Sequence, residues 1–187
     1  MTKFFEETTF SFLDLETDGM SSVDNQIIDI AVIQYRGHEE ISRFTTLVNT
    51  NEDYIPWFIQ NLTGITPSML KGNPSFREIS EDLATMLDGT VVVAHNASFD
   101  FSFISQNFKK HSVYAKMQKL CTVKLSRRFN KELRSHKLDS LIQLLELNVE
   151  NRHRALDDTL VLVEYYKYIL GKITEDEFEV LLKSLIS

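Results

Sequence analysis

A chain of 187 residues, 43% hydrophobic and 25% charged, has the length and balance of one globular domain with a proper core. Its net charge of −7 argues against a protein that coats nucleic acid unselectively, and its single cysteine, Cys121, excludes an internal disulfide and fits a reducing cytosol. The start of the chain (Met1-Thr2-Lys3-Phe4-Phe5-Glu6-Glu7) lacks the apolar core of a signal peptide, and no apolar run nears the ~20 residues that span a bilayer, so a cytoplasmic protein without membrane contact is expected.

Three strand-like runs come first, Thr9–Glu16, Ile27–Tyr35 and Ile41–Val48, with Arg36-Gly37-His38 turning the chain between the last two. Such short connections predict an antiparallel meander. A helical stretch near Pro56–Asn61 precedes a turn at Leu62-Thr63-Gly64-Ile65-Thr66-Pro67. Ser75-Phe76-Arg77-Glu78 reads as a capping box that opens a helix to Leu87, which Gly89 stops. Val91–Ala94 is wholly apolar, as a strand covered on both faces should be. Helices then dominate: Ser98–Lys110, Val123–Phe129, Leu138–Leu145, Arg154–Leu170 and Glu175–Ile186, the last opened by a Thr174/Glu177 capping box. No repeat or linker interrupts the sequence. The expected architecture is one α/β domain over 1–187 with a mixed sheet, its core over 9–170 and a terminal helix over 174–187.

Within that frame some acids stand in unusual places. Asp14 and Glu16 alternate with apolar residues on the first strand and share a face with Phe10 and Phe12, about 6.6 Å apart along the chain. The pair reads either as a seat for a cation or as a strand tip emerging into solvent. Asp100 lies in a first helical turn, where the helix dipole favours an acid, yet it shares its face with Phe103, Ile104 and Phe108. In the helix from Arg154, Asp158 lines up with Ala155, Val161, Leu162 and Tyr165, which aims it at the core. Asp157 is expected at the surface beside Arg154. His153 and Asp158 cannot project from one helical face, so a shared role requires His153 to precede the helix on a loop.

Ten of the chain's twenty basic residues fall between Lys109 and Lys137 against one acid, Glu132. That segment reads as a track for a phosphate backbone or as a solvated surface.

Together Asp14-Leu15-Glu16-Thr17, His95-Asn96-Ala97-Ser98-Phe99-Asp100 and His153-Arg154-Ala155-Leu156-Asp157-Asp158 resemble the motifs of the DEDDh family of 3′–5′ exonucleases. The likeness is to DnaQ-type proofreading (epsilon) subunits of DNA polymerase III and to the exonuclease segment of PolC. Leu62-Thr63-Gly64-Ile65-Thr66 and Ser135-His136-Lys137-Leu138-Asp139-Ser140-Leu141 add to it. The resemblance implies a ribonuclease H-like fold: a central mixed sheet, its first three strands antiparallel, flanked by helices. It implies that Asp14, Glu16, Asp100 and Asp158 hold two divalent metal ions, Mg²⁺ or Mn²⁺, with His153 as general base. It further implies contacts to the terminal nucleotide from Thr17, Ile65, Asn96 and Phe99. A tyrosine variant of the family has Tyr where this chain has Arg154, so the histidine class is the match.

The activity so implied is hydrolysis of single-stranded or mispaired DNA 3′ ends to nucleoside 5′-monophosphates in replication proofreading or repair. RNase T and oligoribonuclease resemble the same family, which leaves RNA trimming open, and a non-catalytic interaction module is the remaining alternative. Only Gly171–Ser187 follows the last motif helix, less than the polymerase-binding extension of many DnaQ-type subunits, so a polymerase partner stays open beside stand-alone trimming.

Overall fold

The computed structural model describes residues 3–186; Met1, Thr2 and Ser187, the ends of the expected domain, lie outside the described residues. Strands β1 (Thr9–Thr17), β2 (Ile27–Arg36) and β3 (Glu39–Leu47) form the expected antiparallel meander. Strand β4 (Val91–Ala94) adds parallel to β1, and β5 (Gln118–Cys121) adds parallel to β4, giving the order β3-β2-β1-β4-β5. The sheet is therefore mixed, as the ribonuclease H-like architecture requires. All four residues of β4 are buried, which its uninterrupted Val-Val-Val-Ala run demands of a central parallel strand.

Alternation along β1 sorts its side chains onto two cores. Phe10 and Phe12 face α8 (Ala155–Leu170) and α9 (Glu175–Lys183), packing with Leu162, Tyr165, Ile169 and Phe178. Leu13 and Leu15 face the opposite layer, where α4 (Phe76–Leu87) and α5 (Ser98–Lys110) supply Leu83, Phe103 and Ile104. Both expected capping boxes form: the Glu78 carboxylate accepts from Ser75 N at 2.8 Å, and that of Glu177 accepts from Thr174 N at 2.8 Å.

Three elements were not expected. Strand β5 buries only Leu120, so Gln-Lys-Leu-Cys carries no alternation to detect. Helix α3 (Pro67–Leu70) follows the anticipated turn that ends α2 (Trp57–Thr63), with Pro67 in its first turn. Helix α1 (Lys3–Glu7) is too short for periodicity to show. Two further helices, α6 (Thr122–Phe129) and α7 (Leu138–Leu144), complete the α8 side.

Strand β1 pairs antiparallel on one side and parallel on the other, so β1 and β4 end at the same edge of the sheet. A crevice opens beyond such paired carboxyl ends where the direction of pairing switches. The register of β1 against β2 slips between Glu16 and Thr17, an irregularity of the kind that re-aims side chains at a sheet rim.

Candidate active site

Three chain segments meet at that edge. The end of β1 brings Asp14 and Glu16, on the face shared with Phe12. The turn after β4 brings His95 and Asn96, and the first turn of α5 brings Asp100, 3% exposed. The approach to α8 brings His153, and its first turn brings Asp158, 4% exposed. Asp158 points inward, as its alignment with Ala155, Val161 and Leu162 requires. His153 precedes α8 on the loop, in the left-handed region with φ 62°. Donor atoms of Glu16, His153 and Asp158 all lie within 4.8 Å of one another.

These carboxyls shape one another electrostatically. Burial raises Asp14 well above the usual carboxylate range, and the neighbouring charges of Asp100, Asp158 and Glu16 raise it further. Burial, with repulsion from Asp158 and Asp29, pushes Glu16 up to about 8. Asp100 is pushed up to about 7 by burial, opposed by hydrogen bonds from its own and the Leu15 backbone amides. Burial raises Asp158 as well, against the lowering effect of the Arg152 guanidinium, which donates to both its oxygens. Four acids crowded this way are far from their preferred ionisation without added positive charge. A donor set of carboxylate oxygens with one imidazole fits hard divalent cations such as Mg²⁺ or Mn²⁺.

The remaining expected contacts separate. Asn96 is exposed, adopts φ 62°, and lines a cleft of about 640 Å³ with His95, Arg127, Arg134, Lys137 and Arg152. Part of the basic segment thus forms one wall of a cleft beside the acids. Thr17 is buried and its hydroxyl donates to Gly19 O at 2.6 Å, turning the chain out of β1. Phe99 is half-buried, its ring 4.9 Å from that of Phe103. Ile65 is fully buried among Ile28, Ile55, Ile59 and Leu70, where it presents no surface to a ligand.

One expected neighbour is corrected. Arg154 does not lie with Asp157; its Nε donates to Asp29 Oδ2 at 2.9 Å, and Asp157 is half-buried in the first turn of α8. Asp29 sits opposite Glu16 in the β1–β2 register and also accepts from Ala155 N at 3.3 Å. A lone acid inside Ile-Ile-Asp-Ile carries the same signal as Asp14 and Glu16, and periodicity could have found it. Arg152 carries no comparable signal, because nothing in the spacing ties it to Asp158. His95 is held between Thr122 Oγ1, 2.9 Å from its Nδ1, and the His136 carbonyl; burial first, then the Arg152 charge, lowers it to about 4.

A family model described as Exonuclease (RNase_T) matches residues 11–166. The chain is 35% identical over 169 residues to a PolC-type DNA polymerase III of Caldanaerobacter subterraneus subsp. tengcongensis, covering 90% of this chain and 12% of that protein. It is 32% identical over 165 residues to the 3′-5′ exonuclease DinG of Staphylococcus saprophyticus subsp. saprophyticus, covering 85% of this chain and 18% of that one. The chain thus spans a small part of the length of these relatives. Its fold superposes on E. coli Exonuclease I in complex with a dT13 oligonucleotide, with a TM-score of 0.79 at 17% identity over 94% of this chain and 44% of that one. Exonuclease X in complex with 5′ overhanging duplex DNA gives a TM-score of 0.66 at 23% identity over 87% and 91% of the two chains. With most of its length matched by the family model and a third of its residues shared with such relatives, the chain belongs to the RNase T exonuclease family.

Proposed function

We propose that this domain is a metal-dependent 3′–5′ exonuclease that removes nucleoside 5′-monophosphates from single-stranded or mispaired DNA 3′ ends. The observation that carries the reading is the convergence of Asp14, Glu16, Asp100, Asp158 and His153, from three distant segments, at one sheet edge. The names of the relatives, a DNA polymerase and a 3′-5′ exonuclease, favour DNA as substrate and the 3′ end as the point of attack. They are also what keeps a polymerase partner within the proposal.

In this reading the four carboxylates hold two divalent ions, Mg²⁺ or Mn²⁺. Bound there, the ions would supply positive charge to the phosphodiester and lower the pKa of the attacking water. The chain's own groups do the rest. Asp100 and Asp158, the most enclosed acids, form the buried side of the seat, and Glu16 and Asp158 bring their oxygens within 4.8 Å of the His153 ring. The His153 imidazole takes the proton from the attacking water as the P–O bond to the leaving 3′ oxygen breaks. Its loop position leaves it at the open side of the crevice, where water arrives. Asn96 and the basic wall of the cleft receive the incoming strand.

The deciding experiment is digestion of end-labelled DNA and RNA of matched sequence, single- and double-stranded, with Mg²⁺ or Mn²⁺ and with EDTA. Release of 5′-mononucleotides from DNA 3′ ends, abolished by EDTA, is the expected result. Preference for RNA would move the assignment to an exoribonuclease of the RNase T or oligoribonuclease type. No cleavage of either polymer with metal present would leave an interaction module.

A further inference from the structure

Arg152 stands where the acidic site and the basic cleft meet. Its Nη1 donates to both oxygens of Asp158, and its Nε donates to Asp139 Oδ1 at 2.9 Å. The same side chain lines the cleft with Asn96, Arg127, Arg134 and Lys137. A guanidinium nitrogen that donates to both oxygens occupies the chelating position between them, and its positive charge repels a second cation there. Any divalent ion that uses Asp158 must therefore compete with Arg152 for it. Asp139 is differently placed: its side chain is 65% exposed and grips the guanidinium from the Nε side, away from the acid cluster. Arg152 can give up Asp158 without losing Asp139.

We propose, building on the metal-dependent reading above, that Arg152 is a displaceable counter-cation of Asp158 that becomes a phosphate ligand once a divalent ion takes that carboxylate. Released on its Nη side and still tethered through Asp139, the guanidinium turns into the cleft. Its planar fork matches a phosphate as well as a carboxylate, and the Nη1 that holds Asp158 cannot serve a phosphate at the same time. Metal and nucleotide are thereby coupled. An ion on Asp158 frees the group that binds phosphate, and a phosphate holding that group leaves Asp158 open to the ion; linkage makes the two effects equal. The order of events follows: an arriving 3′ end meets full positive charge in the cleft only when the seat beside it is loaded.

The test compares the intact chain with Arg152→Met and Arg152→Lys, each stripped with EDTA and dialysed. Mn²⁺ affinity is measured by electron paramagnetic resonance. Affinity for thymidine 5′-monophosphate is then measured by calorimetry at saturating Mn²⁺. Arg152→Met should bind Mn²⁺ more tightly and the nucleotide more weakly, each on the order of tenfold, with Arg152→Lys between it and the parent. Opposite signs are the signature, since a disordered loop would weaken both. Unchanged or weaker Mn²⁺ binding in Arg152→Met overturns the proposal, as does unchanged or tighter nucleotide binding. If the parent chain binds no Mn²⁺ either, the metal-dependent reading itself fails; if the parent binds it and the variants match it, only the role of Arg152 does.

Discussion

Arg154 and Asp29, 125 residues apart in the chain, form an ion pair of 2.9 Å that locks the start of α8 to the strand beside Glu16. Asp29 is buried, and it also accepts from the Ala155 amide, so one carboxylate caps the helix that carries Asp158. Removing it leaves a guanidinium and a helix N-terminus without their partner. Arg154 is one-third exposed, so water recovers part of the loss. Asp29→Ala should destabilise the fold by about 2–3 kcal/mol, below the ~3–5 of a fully enclosed pair. Asp29→Asn, which still accepts from Ala155 N, should cost less. Urea unfolding of the three proteins checks the order; an Asn variant no better than Ala would contradict it.

Stability should also report the crowding of the acids. Glu16 is held at about 8 and Asp100 at about 7, whereas both titrate near 4 in an unfolded chain. Between those limits the folded protein binds the extra protons, so stability falls as pH rises. The penalty is absent below about pH 4 and complete above about pH 8. His95 works in the opposite sense, since it is lowered to about 4, but its contribution ends near pH 6.5, where an unfolded histidine is neutral too. From about pH 6.5 to 8 the carboxylates alone set the slope. In EDTA, Tm should fall across that window, and millimolar Mg²⁺ should flatten the fall. A Tm that climbs with pH in EDTA would count against the acid cluster.

The proposed role of His153 separates chemistry from binding. His153→Ala should lower kcat by a factor on the order of 10² to 10⁴, the usual worth of a positioned base. Mn²⁺ affinity should change far less, because the four carboxylates remain. Lost metal affinity with unchanged turnover would remove His153 from the reaction and make it a ligand.

The basic cleft makes a quantitative claim about salt. Arg127 and Lys137 are exposed and line the cleft wall. Replacing either with Ala should weaken single-strand binding and reduce the slope of log K against log salt by roughly 0.7 per lost phosphate contact. Fluorescence anisotropy across a salt series reads both quantities. A variant with the parent's slope would mean that its side chain meets no phosphate.

The acids were legible in sequence because charge on an apolar face violates the pattern that builds the core. Alternation placed Asp14 and Glu16 with Phe10 and Phe12, and helical spacing placed Asp100 and Asp158 inward; both placements agree with the structure. The same logic covered the meander and the two capping boxes, which depend on neighbours in sequence. What escaped it depends on neighbours in space. Strand β5 exists because β4 offers an edge, with one buried leucine to mark it. Arg154 passes over nearby Asp157 for Asp29 because the crossing of α8 over β2 supplies a buried partner. Ile65 packs in a small cluster with Ile28 of β2, Ile59 of α2, Leu70 of α3 and Ile55 of the loop before α2, a grouping that no local period encodes.

The assembly of the crevice from residues 14–16, 95–100 and 153–158 has a consequence for biosynthesis. Synthesised in order, the domain supplies Asp14 and Glu16 with β1, Asp100 only with α5, and Asp158 only with α8. No fragment that stops short of α8 can complete the set, however well its sheet has formed. A site arranged this way stays incomplete until α8 has emerged and docked against the sheet.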